Sequence, residues 1–267
     1  MTRHAKGIGT AWLRRYVALT AALVLVSGCA AVNRLREAQD AFNQGAAAEN
    51  AQRLTPGDAT EAVTALTSVR TSYASALQSL EHLSDREQTS LKNDGLWGAA
   101  LTLKALCQWR LGEYGKALDS ATEARANTGA QIYPRDQALL VALPGLIKTD
   151  QAFAKTHQGQ SLTEINELLV GPNGAVNDIA AGRNAVGPNH PVQVYLIQGQ
   201  LAAYRNYMEA AWTLNRATIP ATDPARVAAE ANLKALNDVL KALATGDGER
   251  TRLVAYWAKL LALPGPV

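Results

Sequence analysis

Apolar residues in this chain return every three or four positions, and nowhere do they alternate for long. Val194, Ile197, Leu201, Tyr204, Met208 and Ala211 make one such stripe; Val227, Ala231, Leu236, Val239, Leu240 and Leu243 make another. Steps of three and four put side chains on one face of a helix, whereas a half-buried strand needs steps of two. Alanine and leucine dominate, and phenylalanine occurs only at positions 42 and 153, a composition that suits helices better than strands. The expected fold is all-α, with antiparallel helix pairs either stacked as an array or gathered into an irregular bundle.

Local signals divide the stripes. Ser84 with Glu87, and Ser161 with Glu164, have the spacing of capping boxes. Asp223-Pro224 and Pro134 mark helix starts. Thr55-Pro56-Gly57-Asp58 is a break. Gly45, followed by three alanines, is expected to end or narrow the first helix, and Pro144-Gly145 to kink or split another. Gly171-Pro172 and Gly187-Pro188 bracket positions 175–186, which read as the loosest region, a rim or lid.

The amino end has a different logic. Arg3, Lys6, Arg14 and Arg15 precede an apolar run of a dozen residues, Tyr16–Ser27. That run is too short to span a bilayer, which takes about 20 residues, and falls in the range of about 7–15 for the core of a cleaved signal peptide. It ends in Val26-Ser27-Gly28-Cys29, which resembles the bacterial lipobox: an aliphatic residue, two small ones, then cysteine. The resemblance implies cleavage between Gly28 and Cys29 and acylation of Cys29. Two or three acyl chains give stable anchoring, at about 0.8 kcal/mol per buried CH₂. Ala30 in place of aspartate after the cysteine implies, by the same resemblance, the periplasmic face of the outer membrane rather than the inner membrane. The expected division is therefore a signal peptide over 1–28 and a single helical domain over 29–267.

Removing 1–28 takes four of the 26 basic residues and none of the 23 acidic ones, turning a net charge of +3 into −1. The mature chain has no broad basic footprint for nucleic acid. Cys29 and Cys107 are the only cysteines. With Cys29 acylated, Cys107 has no partner for a disulfide, and thiolate metal clusters are excluded.

Positions 97–127 carry the second resemblance. Two helical patterns flank a tight turn at Gly112-Glu113, with Ala105 in the first and Ala117 and Ala124 in the second, and Tyr114 follows the turn. These residues resemble one tetratricopeptide-repeat unit, a helix pair of roughly 34 residues whose small positions let the helices approach. Lys104, Gln108 and Ala121 depart from that pattern, where leucine, tyrosine and a large aromatic are usual. The resemblance implies a stacked helical array that binds protein partners on one face.

Catalytic signatures are missing from the sequence. His82, His157 and His190 sit in separate segments, none at metal-ligand spacing, and there is no GxSxG elbow, P-loop or mature GxGxxG. Asp85, Glu87, Asp94, Glu113, Asp119 and Glu123 offer carboxylates for an acid pair only if folding brings two together. Tyr204, Tyr207 and Trp212 are the candidate partner-binding residues, because Tyr207 and Trp212 fall off the apolar stripe. The expectation is a non-enzymatic, lipid-anchored scaffold or assembly factor of the cell envelope, without cofactor or metal, held to the membrane by its lipid and bound to an envelope protein. The alternative is a peptidoglycan-processing enzyme or its activator.

Overall fold

A computed structural model describes residues 30–54, 59–127 and 133–262. Among these residues the chain forms eleven helices and no strand. They are α1 (Ala30–Leu54), α2 (Ala59–Glu81), α3 (Asp85–Asn93), α4 (Trp97–Arg110), α5 (Tyr114–Asn127), α6 (Pro134–His157), α7 (Leu162–Leu169), α8 (Ala175–Asn184), α9 (Val192–Asn215), α10 (Pro224–Ala242) and α11 (Asp247–Ala262). The break at 55–58 lies outside the described residues.

Both expected capping boxes form. The Ser84 and Ser161 side chains accept from the backbone N–H of Glu87 and Glu164, and each glutamate accepts in return from the serine N–H. Asp223 caps α10 through the Ala225 N–H at 2.8 Å, with Pro224 in the first turn. At the end of α4, Gly112 takes φ +82°. Its N–H bonds the Trp109 carbonyl and that of Glu113 bonds Gln108, so the chain reverses within three residues. Helices α4 and α5 then fold back on each other, and Ala105, Ala117, Ala121 and Ala124 are all fully buried between them and their neighbours.

Helix pairs assemble in chain order. The α1–α2 pair packs on α3 and α4 around Leu35, Leu77, Leu80, Leu91 and Leu103. A second cluster joins α4, α5, α6 and the start of α9, and a third gathers α7 to α11 about the rest of α9. Phe42 and Trp97 touch both of the first two clusters, and α11 returns to contact α1.

Three sequence expectations need correction. Helix α1 runs through Gly45 to Leu54, because the missing side chain makes room for a neighbour: a Cβ there would lie 3.0 Å from the Tyr73 ring. Helix α6 is not split at Pro144-Gly145 but continues to His157. Segment 171–191 is no loose rim, since it contains α8, one of the most closely packed helices. A Cβ on Gly145 of α6 would lie 2.5 Å from the Ala175 carbonyl of α8. One on Gly182 of α8 would lie 2.5 Å from the Ala138 carbonyl and 2.7 Å from the Ala142 Cβ of α6. The two helices touch backbone to backbone beside the proline of α6.

Gly182→Ala separates packing from propensity. Helix propensity alone favours alanine by about 1 kcal/mol, whereas overlap with a backbone carbonyl that cannot step aside costs about 1–3 kcal/mol or more. The expected result is a net loss of about 1 kcal/mol or more in urea unfolding. A gain in stability would show that α6 and α8 are not in backbone contact.

Candidate functional site

The expected cleavage and acylation pair, Gly28 and Cys29, lies outside the described residues. Helix α1 starts at the next residue, Ala30. At this end α1 and α2 leave a shallow groove between Ala30, Arg34 and Glu37 on one side and Ser75, Ser79 and His82 on the other. Arg34 is held there, with Nη1 donating to the His82 carbonyl at 3.0 Å and Nε pairing with Glu87 at 3.0 Å.

The three aromatic candidates do not form one exposed patch. Tyr204 sits on the buried stripe of α9 and is 7% exposed, its ring packed in the core that faces α8 and α10. It is a core residue for most of its surface. Tyr207 is half-buried against the same core, and burial, then Asp223, raises its phenol pKa. Trp212 is half-buried five positions further on, which on a helix turns it about 140° away. Trp109 and Trp257 are core residues at 4% exposure each.

What folding does assemble is a polar hub joining five helices. Arg110 of α4 donates through Nη1 to Glu49 of α1 at 3.2 Å and through Nη2 to the Tyr195 hydroxyl of α9 at 3.0 Å. Its guanidinium lies over the Trp109 ring, 4.1 Å from the centroid, a cation–π contact. Trp109 Nε1 donates to Asp150 of α6 at 2.7 Å, and the Tyr73 hydroxyl of α2 donates to Glu49 at 2.9 Å. Burial alone would lower the Arg110 pKa, but Tyr195, Glu49, Tyr73 and Asp150 reverse that and raise it, so the cation is kept. Burial raises the Tyr73 pKa, keeping its proton available to Glu49. Arg110 Nε is buried without a hydrogen-bond partner among the described residues. The carboxylates of Glu49 and Asp150 come to the same place, but each accepts a hydrogen bond from the hub, and the arrangement ties helices together.

Three of the acids singled out from the sequence are occupied in local structure. Glu87 serves its capping box, which lowers its pKa, Glu113 pairs with Lys116 at 3.1 Å, and Asp94 accepts from Ser90. The histidines stay apart. His82 borders the groove, His157 Nε2 lies 3.9 Å from Glu209, and His190 Nδ1 accepts from the Val192 N–H at 3.2 Å, capping α9. Among the described residues no group of three or more metal-ligating side chains is close enough to hold an ion. Cys107 is fully buried and its thiol pKa is pushed up to about 12 by desolvation, which suits a small core residue rather than a nucleophile.

A second polar cluster went unnoticed in the sequence because it falls in the segment read as loose. Arg183 of α8 bonds Gln193 and Gln200 of α9 and Asn232 of α10. A glutamine pair seven residues apart on one helix, within an otherwise apolar stripe, was the available signal. Comparison of the chain with family models, with curated proteins and with solved structures gave no match.

Two outcomes test this geometry. Removing one partner of a buried ion pair strands the other, so Glu49→Ala is expected to lose about 3 kcal/mol. The double change Glu49→Ala with Arg110→Met should lose less than the two singles together; additivity within about 0.5 kcal/mol would mean that the pair is not coupled. At His190 protonation removes the cap acceptor, and burial, then Arg135, holds its pKa below the ordinary value. The unfolded chain therefore takes the proton first. The contribution is complete above about pH 6.5 and is lost as pH falls below it. His190→Asn, which retains a cap acceptor, should flatten thermal stability between pH 7 and 5; an unchanged slope would assign that dependence elsewhere.

Proposed function

We propose that this chain is a lipid-anchored protein of the bacterial cell envelope whose helical body acts as a non-catalytic, protein-binding scaffold or assembly factor at the periplasmic face of the outer membrane. The observation that carries the reading is Val26-Ser27-Gly28-Cys29 behind a basic and apolar leader. Three further points support it. Helix α1 begins at Ala30, directly after the cysteine, so an acylated Cys29 would hold the body against the membrane without a spacer. No helix among the described residues is long and apolar enough to cross a membrane, and an acylated Cys29 would need none. The body is built of paired helices, an architecture that presents long side-by-side surfaces to partner helices or extended peptides.

Mass spectrometry of the chain recovered from envelopes is expected to find Cys29 as the first residue, carrying a diacylglycerol thioether and an acylated amine. Cys29→Ala should leave the leader uncleaved, and crosslinking in intact envelopes should recover a stoichiometric protein partner. An unmodified terminus at another residue would remove the anchor from this proposal, and glycan turnover by the purified chain would overturn its non-catalytic part.

A further inference from the structure

The groove between α1 and α2 begins at Ala30, the residue that follows Cys29. It encloses about 450 Å³, and apart from Ala30 every residue lining it is polar. Steps of three and four place Ala30, Arg34 and Glu37 on one face of α1, and Ser75, Ser79 and His82 on the facing side of α2. An acyl chain has nothing to gain there, because it would strip water from polar groups that it cannot hydrogen-bond.

The groove holds one fixed cation and one open carboxylate. Arg34 is set by its bonds to the His82 carbonyl and to Glu87, both at 3.0 Å, while 42% of its side chain stays exposed. Glu37 lies three positions further along α1, exposed and without a hydrogen bond or ion pair to a described residue. On the α2 side the His82 side chain is exposed as well. Ser79 Oγ donates to the Ser75 carbonyl at 3.1 Å, which leaves its own lone pairs to accept.

We propose that this groove seats the headgroup of a zwitterionic phospholipid with a primary ammonium, drawn from the membrane that the Cys29 lipid enters. Arg34 and His82 take the phosphate, and Glu37 and Ser79 take the ammonium. Residues three apart on a helix are about 5–6 Å apart at Cβ, a spacing that the two-carbon bridge between phosphate and ammonium covers. An anionic headgroup without the ammonium sets its phosphate against Glu37, with Glu87 already beside Arg34. A trimethylated ammonium keeps the charge but has no N–H to give to Glu37 or Ser79. A body joined to its anchor without a spacer meets headgroups at an effective concentration of about millimolar or more, so a weak site is filled. That a membrane supplies the headgroup rests on the lipid-anchored reading above; the preference of the groove does not.

The test uses the full chain, whose four histidines serve as local reporters. The His82 ring resonance is assigned by its loss in His82→Gln. Glycerophosphoethanolamine, glycerophosphocholine and glycerophosphoglycerol are then titrated separately at constant pH and ionic strength. The ethanolamine compound is expected to shift the His82 resonance saturably, while His157 and His190, which do not line the groove, stay in place. The choline and glycerol compounds should bind about three- to tenfold more weakly, the worth of one polar contact. Glu37→Gln should lose most of that preference at unchanged melting temperature. A flat His82 titration, equal binding of the three compounds, or an undiminished ethanolamine preference in Glu37→Gln overturns the proposal. The three-way comparison on the unaltered chain decides the matter even if the variant folds poorly. Because the titration needs no acylation, a flat His82 response beside an acylated Cys29 removes the groove alone. An unacylated Cys29 removes the anchor and, with it, the membrane as the source of the headgroup.

Discussion

The architecture depends on helices that approach until their backbones touch. With only two phenylalanines in the chain, much of the core is built from alanine, glycine and leucine. Small side chains fill little volume, so density near that of an organic crystal is reached only by shortening the distance between helix axes. The α6–α8 crossing, with Gly145 and Gly182 each set against the other helix's backbone, is the tightest expression of this. From it α6 reaches α4 and α5 on one side and α7 and α9 on the other, so the two larger apolar clusters meet along its length.

Close crossings create wedges where the helices diverge, and long polar side chains occupy them. Arg110 and Arg183 show two outcomes of the same situation. Around Arg110, the Glu49 carboxylate and two tyrosines surround the cation and Trp109 covers its face, so its charge is matched within the fold although its Nε–H is left without a partner. Around Arg183 the partners are amides, which fix the geometry but leave the charge uncompensated. Breaking an amide–guanidinium contact and stranding an ion-pair partner differ in energy by a factor of two or so. The Arg110 hub is accordingly an ionic clasp, and the Arg183 cluster a tie made with neutral amides.

In the proposed function the two ends of the argument meet at α1. An anchor at Cys29 would enter α1 directly, and α1 contributes Glu49 to the hub nearly a full helix length away. A body tethered this way would present a fixed orientation to the membrane, because α1 is packed on α2 along its length rather than joined by a flexible linker.

The sequence by itself determined the helices and most of their limits. Apolar spacing, the serine–glutamate boxes, Asp223-Pro224 and the Gly112 turn are local, since each rests on hydrogen bonds or sterics within a few residues. The same locality explains the misreadings. Gly45, Pro144 and Gly145 look like breakers when only neighbours in sequence are considered, whereas Gly45 and Gly145 are sites where another helix needs the space. Tyr204 belongs to an apolar stripe legible in the sequence, and the structure buries it in the core. Only the tertiary structure decided which polar residues meet: Glu49 with Arg110 across 61 positions, and Arg183 with Asn232 across 49. A guanidinium's partners depend on how whole helices cross, and those crossings are set by the summed packing of many small side chains rather than by any segment's own pattern.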